Sequence, residues 1–395
     1  MASSSDRARG SVPEQYRTRF DQLRNGILAF CQEFHIPSEA LKSIDIFGNA
    51  LSSHAPRIPL KEIERVSLLF RRLEHLLVHK ELWKDEEALR EAERRYRLKE
   101  QYATQVRFLK EVGILNEHNA ILGIDGKEYP IPTLEQIAER LCDPERREFF
   151  ETKQDQGFTK LLLVPFGMSL DTLRDTFEQF LFTYKQTQHP TFPFDNHIPL
   201  SRMDDYVEAD IADPPNLIYH PTIFDKDRHQ GKTKQEILEE QEQDADAVFG
   251  WRIHLFQVPH DHRKKGFREI PREGKGREEG VTIVRPDLEM GKTPDTYLSI
   301  LKEASYNPAS PYYGEFGMTP EDWIIASMVH LRETKKPLDH YGRNEGVVSY
   351  LIGSFFTCGN VPHAYWGYGL GRANLEVGVP HALANYIGVR TSVIV

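Results

Sequence analysis

Between His363 and Arg390 the chain nearly stops using charge. Only Arg372, Glu376 and Arg390 are charged among these 28 residues, in a protein that is 28% charged overall. Five glycines, four alanines, three tyrosines and two asparagines fill much of the rest. Leu370, Leu375 and Val379 fit no helical stripe, and no run alternates long enough to predict a strand before Tyr386. The stretch is therefore expected to be irregular. Small residues with scattered Tyr, Asn and His suit adaptable contact loops, because tyrosine supplies area at low entropic cost. They also suit a glycine-rich loop that closes a core.

What surrounds this stretch limits where it can sit. The chain ends on Ile387-Gly388-Val389-Arg390-Thr391-Ser392-Val393-Ile394-Val395, which is rich in β-branched residues and predicts a strand. Its matching partner is Gly250 to Val258, where Trp251, Ile253 and Leu255 alternate with Arg252, His254 and Phe256. Pairing the two would close a domain over 248–395, with the glycine-rich stretch as a long loop before the closing strand. Inside it, Thr293-Pro294-Asp295 and Thr319-Pro320-Glu321-Asp322 each place a capping Thr, a first-turn Pro and acids at a helix start. Those helices should run to about Ala304 and Glu333, and Val347 to Phe356 reads as a strand.

Upstream the signals are mostly helical. At 395 residues two or three domains are expected. Residues 1–12 form a polar tail, 13–119 a helical region and 120–247 a small α/β segment with an irregular excursion. Tyr16, Phe20, Leu23, Ile27 and Phe30 mark one helix, and a longer run from Pro59 to Val112 suggests a hairpin broken at Lys84-Asp85. Thr133 caps Leu134 to Leu141; Lys160 to Pro165 is a short apolar strand, and Ser169 caps the helix after it. Gly231-Lys232-Thr233 imitates a phosphate loop, yet the earlier glycine is replaced by Lys226, so Thr233 reads as the cap of Lys234 to Gln243. His260-Asp261-His262 reads as a solvated loop, not a metal site.

Several function classes drop out on composition. A net charge of −10 argues against a nucleic-acid partner or an anionic membrane surface. Cys31, Cys142 and Cys358 are too few and too scattered for a disulfide frame. No apolar run is long enough to span a membrane, and the N-terminus carries no signal-peptide pattern, which predicts a cytoplasmic protein, surface display by another route remaining open. No nucleophile elbow occurs, and neither a catalytic site nor a cofactor is expected.

The order strand, helix, helix, strand, long loop and final Gly-x-Arg strand resembles the C-type lectin fold. The form it resembles is shared by formylglycine-generating enzymes and the variable proteins of bacterial diversity-generating retroelements. Pro271 to Gly276, Met318 to Trp323 and Ile387 to Arg390 carry the resemblance, with Lys160 to Phe166 and Gly231 to Lys234. It reaches most of 120–395 and little of 1–110. The implied class is α+β: a helical N-terminal region, an α/β middle segment and a C-type-lectin-like domain with a variable region at about 365–390.

The resemblance implies a ligand-binding display protein, not an enzyme, whose surface is rewritten by reverse transcription with errors at template adenines. Formylglycine chemistry needs a copper-holding cysteine pair, and this domain has only Cys358. Asparagine codons randomised at both adenines never encode Lys, Glu, Gln, Met or Trp. Those types make up 83 of the 395 residues, yet between Gly367 and Tyr386 only Glu376 occurs. The expected contacts for an unknown protein or other macromolecular ligand are Gly367, Tyr368, Gly369, Leu370, Gly371, Asn374, Val377, Val379, His381, Ala382, Leu383, Ala384, Asn385 and Tyr386. Trp366, Ala373, Leu375, Gly388 and Arg390 are expected to be their scaffold. The competing reading is a constant structural or assembly protein with a glycine-rich core.

Overall fold

The computed structural model describes residues 14–34, 36, 66, 80–201, 203–243, 247–261, 263–272, 274, 285–343 and 345–395. The chain is α+β and divides into two compact units, Met1–Arg90 and Glu91–Val395. In the first, α1 (Glu14–Glu33) buries Ile27, Phe30 and Cys31 at helical spacing. The start of the expected 59–112 run lies outside the described residues, apart from the buried Val66. α2 (Lys80–Tyr96) passes unbroken through Lys84-Asp85, where neither residue is a helix breaker. The break falls instead at Arg97, in the left-handed region at φ 52°. There the Gln101 amide donates to Tyr96 O (2.6 Å), and Glu93 Oε2 accepts the Lys99 N–H (2.7 Å).

The second unit is built on an antiparallel sheet of β3 (Phe158–Val164), β6 (Arg252–Gln257), β15 (Thr391–Ile394) and β7 (Glu315–Gly317), in that order. The ladder expected between the two end segments is present: Ser392 faces Phe256, Val393 faces Leu255 and Ile394 faces His254. β3 pairs with the other side of β6. Its free edge is taken by α3 (Leu98–Glu111), whose Gln101 and Gln105 lie one turn apart. Gln105 donates to Leu161 O (2.6 Å) and accepts the Leu163 N–H (2.9 Å). Gln101 does the same for Thr159 O and Leu161 N–H. The divisions expected at 119/120 and 247/248 thus fall inside one compact unit, because the wholly apolar run Leu161–Val164 needs cover from α3 as well as from the C-terminal strands.

Local caps set the helices. Thr133 forms a capping box with Gln136 at α4 (Leu134–Leu141), which precedes α5 (Arg147–Asp155) and follows the small hairpin of β1 (Ala120–Leu122) and β2 (Glu128–Pro130). Ser169 caps α6 (Leu170–Thr187), Thr233 caps α7 (Lys234–Gln243), Thr293 caps α8 (Pro294–Ser305) and Thr319 caps α9 (Pro320–Thr334). α9 runs through the interior and is buried from Pro320 to Leu331.

At its start lies a buried charge network. Lys234 Nζ reaches Asp210 Oδ2 (2.5 Å), Glu321 Oε1 (2.9 Å) and Met168 O (2.7 Å), using all three ammonium hydrogens. Asp210 also accepts the Leu170 N–H (2.9 Å), and Glu321 the Tyr219 hydroxyl (2.6 Å). Arg252 lies 3.4 Å above the Phe166 ring, and His254 Nε2 is 3.2 Å from Asp322 Oδ1.

The second sheet runs β14 (Ile387–Val389), β10 (Val348–Tyr350), β12 (Val361–Gly367), β13 (Arg372–Gly378) and β4 (Leu200–Ser201), with β8 (His340–Gly342) and β9 (Glu345–Gly346) alongside. The strand expected over Val347–Phe356 is two strands in different sheets. β10 pairs with β12 and β14, whereas β11 (Ser354–Phe356) pairs with β5 (Leu217–Tyr219). The chain turns between them where Gly353 crosses Gly317: a Cβ on Gly353 would lie 2.3 Å from Gly317 O.

Lys234→Met should cost about 3–5 kcal/mol in denaturant unfolding, because it strands two buried carboxylates. Stability should also depend on pH through His330. Phe267 N–H donates to His330 Nδ1 (3.2 Å), and burial pushes this histidine down to about 3 from its ordinary 6.5. Below pH 6.5 the unfolded chain takes up a proton that the folded chain refuses until about pH 3. Stability should therefore fall by about 1.4 kcal/mol per pH unit in that window. His330→Asn keeps an acceptor and should flatten the slope by that amount; parallel slopes for the two proteins would remove His330 as the cause.

Candidate ligand-binding surface

The region expected to be irregular is a hairpin. β12 and β13 pair in register from Val361–Gly378 to Gly367–Arg372, and the two residue faces are distinct. Pro362, Ala364, Trp366, Ala373 and Leu375 point into the core, with Trp366 packed 4.9 Å from the Phe192 ring. His363, Tyr365, Arg372 and Glu376 lie on the other face and keep partial exposure. Alternation is present, but alanine, proline and glycine blur its hydrophobic signal.

The five scaffold positions are all buried. Trp366, Ala373 and Leu375 share the inner face. A Cβ on Gly388 would lie 2.6 Å from Ile270 Cγ2 and 3.0 Å from Met290 Cγ, so a larger residue would have to displace those side chains. Arg390 Nη2 donates to Asp339 Oδ1 (2.7 Å), and Arg390 also donates to Arg268 O. Asp339 takes the Trp323 indole N–H (3.0 Å) on its other oxygen, and its carbonyl takes the Trp366 N–H (2.8 Å).

Of the expected contacts, Tyr368, Gly369, Leu370, Val379, His381, Leu383, Asn385 and Tyr386 are exposed, and Val377, Ala382 and Ala384 half-buried. The exposed ones occupy the hairpin tip and the loop 379–386, which meet across β8. The Tyr368 ring lies 4.9 Å from His340, and Tyr386 stacks on the adjacent Tyr341 at 4.3 Å and 24°. Three expected contacts are buried instead. Asn374 is held by Arg372, donating to its carbonyl (3.1 Å) and accepting its Nε–H (3.3 Å). A Cβ on Gly367 would lie 2.9 Å from that Asn374 amide. Gly371 has φ +65°, and a Cβ there would sit 3.1 Å from the backbone nitrogens of Phe194 and Asp195.

Sequence reasoning did not single out His340, Tyr341, His363, Tyr365 or Glu376 as part of the surface. For His363 and Tyr365 the signal is the two-residue period of 361–367, legible only once the strand is recognised. Tyr365 donates its hydroxyl to Glu376 Oε1 (3.1 Å), and His363 Nε2 lies 3.4 Å from Oε2. These neighbours, His363 foremost, hold the Glu376 carboxyl below its usual range against the opposing effect of burial. Burial, reinforced by Glu376, pushes the Tyr365 phenol up to about 12. Among the described residues no group of three His, Cys, Asp or Glu is placed to hold a metal ion. No helix among them is long and apolar enough to cross a membrane.

No protein family, curated protein or solved structure matches the chain.

Trp366→Ala should cost about 3–5 kcal/mol, and Tyr368→Ala no more than about 0.5 kcal/mol. Denaturant titrations of the two variants decide it: the reverse order would mean that the inner and outer faces are exchanged.

Proposed function

We propose that this chain is a ligand-binding display protein. In this reading its C-terminal region is C-type-lectin-like, and the hairpin tip and the 379–386 loop form the binding surface. One observation carries the reading: a single short stretch separates into buried residues that hold its path and residues, Tyr368, Leu370, Leu383 and Tyr386 among them, whose side chains are exposed. Large exposed apolar side chains gathered on two adjoining loops are the mark of an interaction site. The paired end strands support the lectin-like part of the proposal. Aliphatic Leu370, Val379 and Leu383 suit a protein ligand, where aromatic residues such as Tyr368 and Tyr386 would anchor the contact.

The surface would be rewritten by adenine-directed mutagenic retrohoming. That half of the proposal has a test at the DNA level: a nearby near-repeat of the final coding segment, mismatched only at adenines and lying beside a reverse transcriptase gene.

The protein-level test is to exchange Tyr368, Leu370, Val379, His381, Leu383, Asn385 and Tyr386 for other types that diversified asparagine codons encode. Each exchange should alter stability by no more than about 0.5 kcal/mol, while binding across a panel of proteins changes. Collapse of most exchanged variants would identify the stretch as core and end the display reading.

A further inference from the structure

We propose that a small cavity at the start of β15 binds one monovalent anion of chloride size between Arg285 and Arg390. The cavity has a volume of about 30 Å³, room for one or two water-sized groups, and it is partly open to solvent. Arg285, Arg390 and Thr391 line it together with apolar Ile270 and Leu288. The other charged residues of its lining are Arg268 and Glu269. Glu269 is exposed and forms no ion pair with Arg285 or Arg390, whose carboxylate partners are Glu315 and Asp339.

The charge count around the cavity calls for such an occupant. Arg285 grips Glu315 of β7 with both terminal nitrogens, Nη1 lying 2.7 Å from Oε1. Lys153 of α5 donates to the same Oε1 (2.8 Å), so one carboxylate serves two cations. Lys153 also donates to Pro311 O (2.8 Å) and Gln156 Oε1 (3.2 Å), and three acceptors hold it as an ammonium with three hydrogens. All three charged residues are at most 5% exposed. Among the described residues neither Lys153 nor Arg285 has a second acidic partner. One buried positive charge is therefore left over, and buried charge is costly unless it is paired. Arg390 adds an open donor. Its Nη groups reach Arg268 O and Asp339, but its buried Nε–H has no acceptor, which is rare for a buried polar group. An anion in the cavity would balance the surplus charge and join Arg285 to the strand junction at Arg390.

The test uses the full chain and two halides. In chlorine NMR of sodium chloride solutions the protein should broaden the chloride line, and added sodium bromide should remove the excess saturably at millimolar concentration. Crystals grown in sodium bromide should show, by anomalous scattering, one bromide in the cavity against Arg285 and Arg390. Lys153→Met removes the surplus charge while keeping the Arg285–Glu315 pair, and should weaken chloride binding about tenfold. Ile270→Phe narrows the cavity and leaves every charge in place; it provides a second variant and should also suppress the excess broadening. Both are checked for folding by circular dichroism, and if neither folds, the two wild-type measurements decide. A wild-type chain that leaves the chloride line unbroadened, or a cavity without bromide, overturns the site. Broadening unchanged in a folded variant overturns it as well, because any bromide in the crystal would then be an adventitious ion only.

Discussion

The fold of the larger unit depends on Lys234. Three helices, α6, α7 and α9, begin within reach of its ammonium group, so three positive dipole ends converge on one buried point. Convergence of that kind calls for negative charge, and Asp210, Glu321 and Asp322 supply it. Lys234 then offsets the carboxylates, and its third hydrogen ties in the loop after β3 at Met168. One side chain thereby joins the excursion that carries β5, the turn after the first sheet, and the central helix. Desolvating so many charges is costly, and the arrangement holds only because the ammonium is fully bonded and the carboxylates share its charge.

The central helix passes this order on to the surface. α9 holds Asp339 in place through Trp323, and Asp339 in turn anchors Arg390 at the end of β14 and the backbone of Trp366 in β12. The two strands that bracket the hairpin tip and the 379–386 loop are thus tied to one carboxylate-bearing residue.

What was legible in the sequence was what acts locally. Thr133, Ser169, Thr293 and Thr319 each bond a backbone N–H three residues on, and all four helix starts were readable from that short range. The terminal ladder was readable as well, since Trp251, Ile253 and Leu255 alternate visibly. The hairpin was not, because Ala364, Ala373 and Pro362 are buried without being strongly apolar, and period analysis weighs hydrophobicity, not size. The burial of Gly371 depends on Phe194 and Asp195, far away in the chain, which no window around residue 371 contains. The hinge at Arg97 gives no proline or glycine to mark it. Its signal lies in the neighbours that take up the freed backbone groups.

The glutamine pair on α3 has a consequence for how copies of this chain coexist. β3 would otherwise be an outer strand seven residues long, with open peptide groups able to recruit another strand. Gln101 and Gln105 occupy those groups with amides that imitate a neighbouring backbone. The opposite edge, β7, is only three residues long. Among the described residues this sheet offers no long open ladder along which two copies could zip together.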